Sequence, residues 1–276
     1  MLADPIAAPG DCRDLIVRFT EEFKDVCFMQ AGRPTAEILA SLGFMVNEMG
    51  TEARVDLAAQ DFAGRKYRAF RLAANRAASR GYKTQECSVR EVGEAAIKSV
   101  SARWRGTRTI KTREIAFLNR PIVIADERDV RKFYTFDPAG ELIGFAFFDP
   151  IYQQGEVVGY VTATRRHLPE VDRLINYSIT LHAIDTFRRE GRKWLFLGLS
   201  PLAHIEDKEF PRNWFARRSF RVIYKSWLFN RLLFPLQGIA AHKQQYGAAM
   251  EQTYFALNTL PALPRLIKAL RVCRLI

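Results

Sequence analysis

The stretch WLFLGLSPLAHIEDKEF, Trp194 to Phe210, carries an apolar strand pattern into Ser200-Pro201 and then into His204, Glu206, Asp207 and Lys208. A hydroxyl, an imidazole, two carboxylates and an ammonium beyond a strand end are groups that move protons and steady developing charge. Ligands of open α/β sheets are often bound just past strand C-termini. A loop of merely solvated polar residues fits the same pattern, with Ser200 as a turn cap and His204 incidental. Arg165 and Arg166 close another strand pattern, EVVGYVTATRR. Paired arginines can bind phosphate bidentately, or stand as ordinary surface.

Metal chemistry has no matching pattern. Cys12, Cys27, Cys87 and Cys273 form no CxxC pair and have no histidine at ligand spacing, so no metal is expected. Reduced thiols and a cytoplasmic setting are the simplest account. The start, MLADPIAAPGDCRD, lacks the basic and apolar regions of a signal peptide. No run of about eighteen apolar residues suggests a spanning helix. The tail LPRLIKALRVCRLI is a basic amphipathic helix that packs on its own domain or lies peripherally on an anionic membrane.

With 42 Lys+Arg against 30 Asp+Glu, the 276-residue chain has a formal net charge of +12. That balance favours polyanions such as nucleic acid, anionic lipid or phosphorylated substrates. A hydrophobic content of 48% suffices for a core.

The elements that must position these groups follow from periodicity. Residues 11–30 read as a helix, 35–43 as a short helical piece and 44–57 as strand, turn at Gly50, strand. RKYRAFRLAANRAASRGY is a helix stopped by Gly81; KTQECS is a strand, and residues 89–105 a helix. After FLNRP come strand patterns in IVIADE, VRKFYTFD, ELIGFAFFDPIY and EVVGYVTATRR. Residues 168–191 read as a helix with an acidic first turn, 193–199 as a strand, RSFRVIYKSWLFN and IAAHKQQYG as helices, MEQTYFAL as a strand, and the tail as a helix. This order predicts an α+β, tandem GNAT-like acyltransferase fold with mixed sheets flanked by helices. Its expected domains are 1–115 and 116–276, the second carrying the catalytic site.

A GNAT enzyme holds the coenzyme A pyrophosphate on a glycine-rich loop before a helix. Here that junction, TATRRHLPEVD, has no glycine and two acids, a poor place for an anion. A different acyl donor is therefore expected, and aminoacyl-tRNA matches the basic surface.

LGFMVNEMGTEARVDL, GRKYRAFRLAANRAASRGY, LIGFAFFDP, LFLGLSPLAHI and HKQQYGAAMEQTYFAL, in this order, resemble the C-terminal domain of phosphatidylglycerol lysyltransferases and alanyl-phosphatidylglycerol synthases. These are tandem-GNAT enzymes that move an amino acid from aminoacyl-tRNA to a lipid hydroxyl. The resemblance covers most of the chain and implies a freestanding transferase, without the family's flippase half. Where the family tends to carry Asp-Leu-Met-Arg, this chain has YVTATRRH. Arg165 or Arg166 can match the Arg, and nothing matches the Asp. That departure opens the acceptor to small hydroxyl- or amine-bearing molecules as well as lipids.

An ester donor is already activated, so the enzyme needs only to align the acceptor, exclude water and stabilise an oxyanion. In that frame Lys243 is the first candidate, for the oxyanion or the donor's terminal phosphate or ribose. Ser200 is a donor to a substrate carbonyl, His204 a general base, and Asp149, before Pro150, a partner for the amino acid's ammonium. Arg165 and Arg166 bind phosphate; Tyr246 and Tyr254 stack on a terminal adenine. Glu52 is a weaker ammonium partner, with Glu48 and Asp56. Each has a plain alternative: solvated lysine, Asp-Pro turn or core aromatic. No cofactor is expected beyond aminoacyl-tRNA as co-substrate. A coenzyme A-dependent N-acyltransferase and a non-catalytic RNA- or membrane-binding module remain the alternatives.

Overall fold

The computed structural model describes residues 1–107, 120–232, 234–258 and 262–274. Helix α1 (Cys12–Glu22) leads to β1 (Cys27–Ala31), α2 (Arg33–Ser41) and the long β2 (Met45–Asp56). Then come α3 (Arg68–Ser79), β3 (Lys83–Glu86), α4 (Val89–Val92) and α5 (Glu94–Gly106). The second half runs β4 (Arg131–Phe136), β5 (Leu142–Gln153), β6 (Glu156–His167), α6 (Ile175–Arg189) and β7 (Trp194–Pro201). It closes with α7 (Trp214–Lys225), α8 (Trp227–Leu232), α9 (Leu236–Gln244), β8 (Ala249–Leu257) and α10 (Ala262–Val272).

All eight strands join one sheet, in the order β1-β8-β2-β7-β6-β5-β4-β3. Every neighbouring pair is antiparallel except β6 and β7. The mixed sheet flanked by helices is the α+β, GNAT-like architecture expected. The expected domain boundary at 115/116 lies outside the described residues; the strands on either side of it interleave, since β2 sits between β7 and β8.

Several local expectations are corrected. Residues 27–31 form β1 rather than continuing the first helix. Residues 45–56 form one strand, and Gly50 is a bulge within it rather than a turn. Its φ of +139° belongs to glycine, and a Cβ there would collide with the Ser200 carbonyl. IVIADE is irregular chain outside the sheet; the carbonyls of Val123 and Ala125 accept from the buried Lys132 Nζ at 2.9 and 2.6 Å instead. Helix α6 starts at Ile175, so the acids placed in its first turn precede it. Glu170 pairs with Arg103 and Asp172 with Arg76.

Alternation along each strand sends side chains to opposite faces. Phe133, Phe148, Tyr160, Leu195 and Leu197 pack with Phe70 of α3 and Ile179, Ala183 and Phe187 of α6. The Phe187 ring stacks on Tyr160 at 4.2 Å. Tyr134, Phe145 and Phe147 meet Ile97 and Val100 of α5. On β8, Tyr254 and Ala256 join the core of α1 and α2, whereas Phe255 and Leu257 join Phe220 of α7 and Cys273 beyond α10.

The β6–β7 pairing decides where a site can form. It covers only Gly159–Val161 against Trp194–Phe196. Beyond it β6 stays with β5, and β7 stays with β2. The two strands part, as parallel neighbours can when each has another partner. Gly159 permits the close approach at the root, because a Cβ would meet the Trp194 carbonyl. Gly50→Ala attacks the other side of β7. It is expected to cost on the order of 3 kcal/mol in a denaturant titration, through strain and the clash with Ser200.

Candidate active site

Helix α9 lies over the place where β6 and β7 separate. Lys243, near its end, is buried, and its Nζ donates to the carbonyls of Gly198 and Leu199 at 2.8 and 2.6 Å. Those carbonyls follow the last β6–β7 pair. Gly198 has φ +76° at a register shift of β7 against β2, which turns them toward the lysine. Burial is the main cause that brings the Lys243 ammonium down to about 7. Arg165 pushes the same way and Glu52 opposes. Burial raises the Glu52 carboxyl, while the nearby Lys243 pulls it down.

Arg165 on β6 reaches the same region and is held by a relay. Its Nη1 lies 2.9 Å from His242 Nε2. A guanidinium only donates, so Nε2 accepts and Nδ1 carries the proton. Nδ1 then donates to the Tyr177 hydroxyl at 2.8 Å, which donates to Gln245 Oε1 at 2.5 Å. Burial, followed by the charges of Arg165 and Lys243, drives His242 down to about 3 and keeps it neutral. Burial pushes the Tyr177 phenol up to about 12. Two cationic side chains thus lie near one another where the strands part, each fixed by neutral groups.

Beside them runs a row of buried polar groups. Thr51 on β2 is opposite Ser200 on β7 and Gln252 on β8. Ser200 Oγ, Thr51 Oγ1 and Gln252 Nε2 have no hydrogen-bond partner among the described residues. Unmatched buried groups cost free energy unless a ligand or water completes them.

The structure brings Lys243, Arg165 and Ser200 to this part of the sheet, while Glu52, opposite Leu199, is on its other face and feels the Lys243 charge through it. His204 is exposed at its rim, with Nε2 2.9 Å from the Gln244 amide nitrogen. Asp149 is elsewhere, accepting from Arg120 at 2.6 Å. Arg166 points to the opposite face, over the Trp104 ring at 5.1 Å and against Ser101. Tyr246 is wholly buried among Phe62, Phe70 and Tyr177, and Tyr254 packs on Phe210. Among the described residues no His, Cys, Asp and Glu group could hold a metal ion.

The acids of the Ser-Pro loop have another task. The Asp207 carboxylate accepts from Glu48 N at 2.6 Å and Asn47 Nδ2 at 3.3 Å. The Glu48 carboxylate accepts from Asp207 N at 2.9 Å and from Glu206 N. Asn47 Oδ1 accepts from Asn213 N at 3.1 Å, and Asn213 caps α7 on Ala216 N. This reciprocal latch fixes the loop to β2. Leu202, His204 and Asp207 all adopt left-handed φ between 52° and 59° within it.

Sequence reasoning missed His242, Tyr177, Gln245 and the Asn47–Asp207 latch. His242 adjoins Lys243, so a paired reading of His-Lys could have found it; Tyr177 gives no local signal. The neutral histidine has a stability signature. Its ordinary value is 6.5, so the unfolded chain takes up a proton below that while the folded chain does not until about 3. Stability from this group is complete above 6.5 and is lost as pH falls toward 3. His242→Gln is expected to flatten that part of the acid-denaturation curve, read as unfolding midpoints at successive pH values.

The family described as phosphatidylglycerol lysyltransferase, C-terminal, matches residues 1–257. A phosphatidylglycerol lysyltransferase of Bacillus subtilis is 24% identical over 236 residues, which is 84% of this chain and 26% of that protein. The chain thus spans about a quarter of that relative's length. Among solved structures, L-PGS from Bacillus licheniformis superposes with a TM-score of 0.78 at 18% identity, covering 99% of this chain and 81% of that one. FemX gives 0.57 at 11% identity, covering 96% and 82%. These two show a shared fold. With the match reaching from the first residue through β8, the chain belongs to the phosphatidylglycerol lysyltransferase C-terminal family.

Proposed function

We propose that the chain is an aminoacyltransferase that moves an amino acid from aminoacyl-tRNA to a hydroxyl of a phosphatidylglycerol-like lipid. The observation that carries this reading is the pair of cations, Lys243 and Arg165, held where β6 and β7 part. Family membership and the name of the Bacillus subtilis relative support the donor and acceptor classes.

The acceptor oxygen attacks the ester carbonyl carbon, and the carbonyl oxygen becomes an oxyanion. The intermediate collapses by breaking the bond to the ribose oxygen, which leaves with the proton that the acceptor hydroxyl lost. Lys243 uses two N–H groups on the Gly198 and Leu199 carbonyls, so its third is free for the oxyanion. Arg165 adds a second positive charge whose direction the His242–Tyr177 relay fixes. Charges withdrawn from water, as the buried Lys243 is, act strongly on a transition state. Ser200, Thr51 and Gln252 supply unmatched hydrogen-bonding groups for the aminoacyl moiety, whereas Glu52, one residue along β2 from Thr51, is on the opposite face of the sheet. The reading needs no cofactor. The residues ahead of α6 offer no glycine for a coenzyme A pyrophosphate, and their acids are tied to arginines.

The test is a donor screen. tRNAs charged with radiolabelled amino acids are incubated with the protein and phosphatidylglycerol dispersed in detergent. Label is expected to leave one charged tRNA faster than spontaneous hydrolysis and to appear in lipid. Protein-independent loss from every charged tRNA would overturn the reading. Lys243→Met should lower transfer on the order of 10²- to 10³-fold. With the free-enzyme Lys243 near 7, the cationic form is lost above that value. kcat/KM should therefore fall as pH rises through about 7; a rise would make Lys243 a base instead.

A further inference from the structure

The charge of the chain is unevenly placed. From Pro211 to Ile276 there are eleven Lys and Arg residues and one acid, Glu251. Residues 211–250 contain no Asp or Glu at all. Helices α7 and α8 lie in this stretch and expose large apolar side chains. Trp214 is 71% exposed, Trp227 66%, and Val222, Leu228 and Leu232 at least half.

Helical spacing sorts these residues. Trp214, Arg218, Val222 and Lys225 recur at intervals of four, four and three, which puts them on one side of α7. All four are exposed. The other arginines of α7 face the loop: Arg217 donates to the Glu206 carbonyl at 3.0 Å and Arg221 to the Ile205 carbonyl at 3.0 Å. The exposed stripe continues onto α8 through Trp227, Leu228, Arg231 and Leu232, with Arg231 lying 5.0 Å from the Trp227 ring centroid. Tryptophans and aliphatic residues alternating with cations suit an interfacial helix, whose apolar side enters the bilayer while its cations meet lipid phosphates.

We infer that the α7–α8 face docks the protein on an anionic phospholipid bilayer. Charge complementarity excludes a second copy of this strongly cationic face as the favoured occupant. Nucleic acid would match the cations and could stack on tryptophan, yet Val222, Leu228 and Leu232 gain nothing from a phosphate backbone. The bilayer uses both halves of the pattern.

The face is rigidly joined to the site. Asn230 Nδ2 and Gln237 Nε2 both donate to the Tyr224 carbonyl, at 2.8 and 2.9 Å, and Asn230 Oδ1 accepts from Gln237 N at 3.0 Å. These bonds lock α7, α8 and the start of α9 together. Docking would set the helix that carries His242 and Lys243 at a fixed attitude to the lipid surface. The inference goes beyond the transferase reading, since docking is measured without any donor.

The experiment is co-sedimentation of the intact protein with vesicles of phosphatidylcholine alone or mixed with phosphatidylglycerol, together with tryptophan emission. Binding and a blue shift are expected only with phosphatidylglycerol present. Trp227→Ser with Leu228→Ser should weaken vesicle binding by roughly tenfold or more while the unfolding midpoint and tRNA affinity stay unchanged. Quenching of the wild-type tryptophans by brominated lipid tests the same contact without any substitution. No vesicle binding, equal binding by the double variant, or loss of tRNA binding in its place would overturn the inference. Vesicle binding with no transfer in the donor screen would sink the transferase reading alone. Transfer to detergent-dispersed lipid with no vesicle binding would sink docking alone.

Discussion

The short parallel ladder between β6 and β7 is the constraint on which the site depends. Three residues of each strand pair, and then each strand follows its own antiparallel partner. A sheet that opens in its middle exposes backbone carbonyls that no strand will satisfy. Lys243 answers those of Gly198 and Leu199, so one side chain both closes the hydrogen bonding of the gap and brings a positive charge into it. A neutral donor could have done the first task at less cost, because burying an ammonium is expensive unless it is well compensated. Keeping a cation there, with Arg165 beside it, is what the proposed transfer would require.

The surroundings are built to keep that recess in shape. The relay from Arg165 through His242 and Tyr177 to Gln245 crosses from β6 to α9 and α6 and back to the end of α9. The two middle members, His242 and Tyr177, each accept one hydrogen bond and donate one, and a protonated imidazole would break the sequence. On the other side, Asn47, Glu48, Asp207 and Asn213 exchange backbone and side-chain hydrogen bonds until the loop after β7 has no freedom to lift away. Buried networks of this kind are worth most when every member is satisfied. The rigidity of both supports contrasts with the unmatched hydroxyls of Ser200 and Thr51 between them.

Much of the fold was legible because its period-2 and period-3.6 patterns are long. Strands β4 to β8 and helices α3 and α6 carry such patterns, and they fix the fold class. The failures have local causes. The apolar residues of β1 follow those of α1 so closely that a single helix explains both. IVIADE opens on three β-branched residues, yet the carbonyls of Val123 and Ala125 are taken by Lys132 rather than by a neighbouring strand. Gly50 suggests a turn in any reading by composition; only the presence of Ser200 across the ladder shows why glycine is needed. For the site, Lys243 and Arg165 could be singled out by type and position. The burial of Lys243, and the separation of 65 residues between His242 and Tyr177, could not. Asp149, Arg166 and Tyr254 had the right chemistry at strand positions that face other neighbours.

The position of β2 has a consequence for how the chain is made. Its pairing with β8 joins Thr253 to Gly50 across 203 residues, and its other neighbour is β7. An emerging polypeptide would therefore present a twelve-residue strand with both edges bare until β7 has emerged, and with one still bare until β8 follows. Non-local pairing of this degree slows the search for the native topology. It also makes nascent β2 a natural client for a holding chaperone. The cationic helices α7 and α8 lie between β7 and β8 in the chain, so they emerge before the strand that seals the sheet.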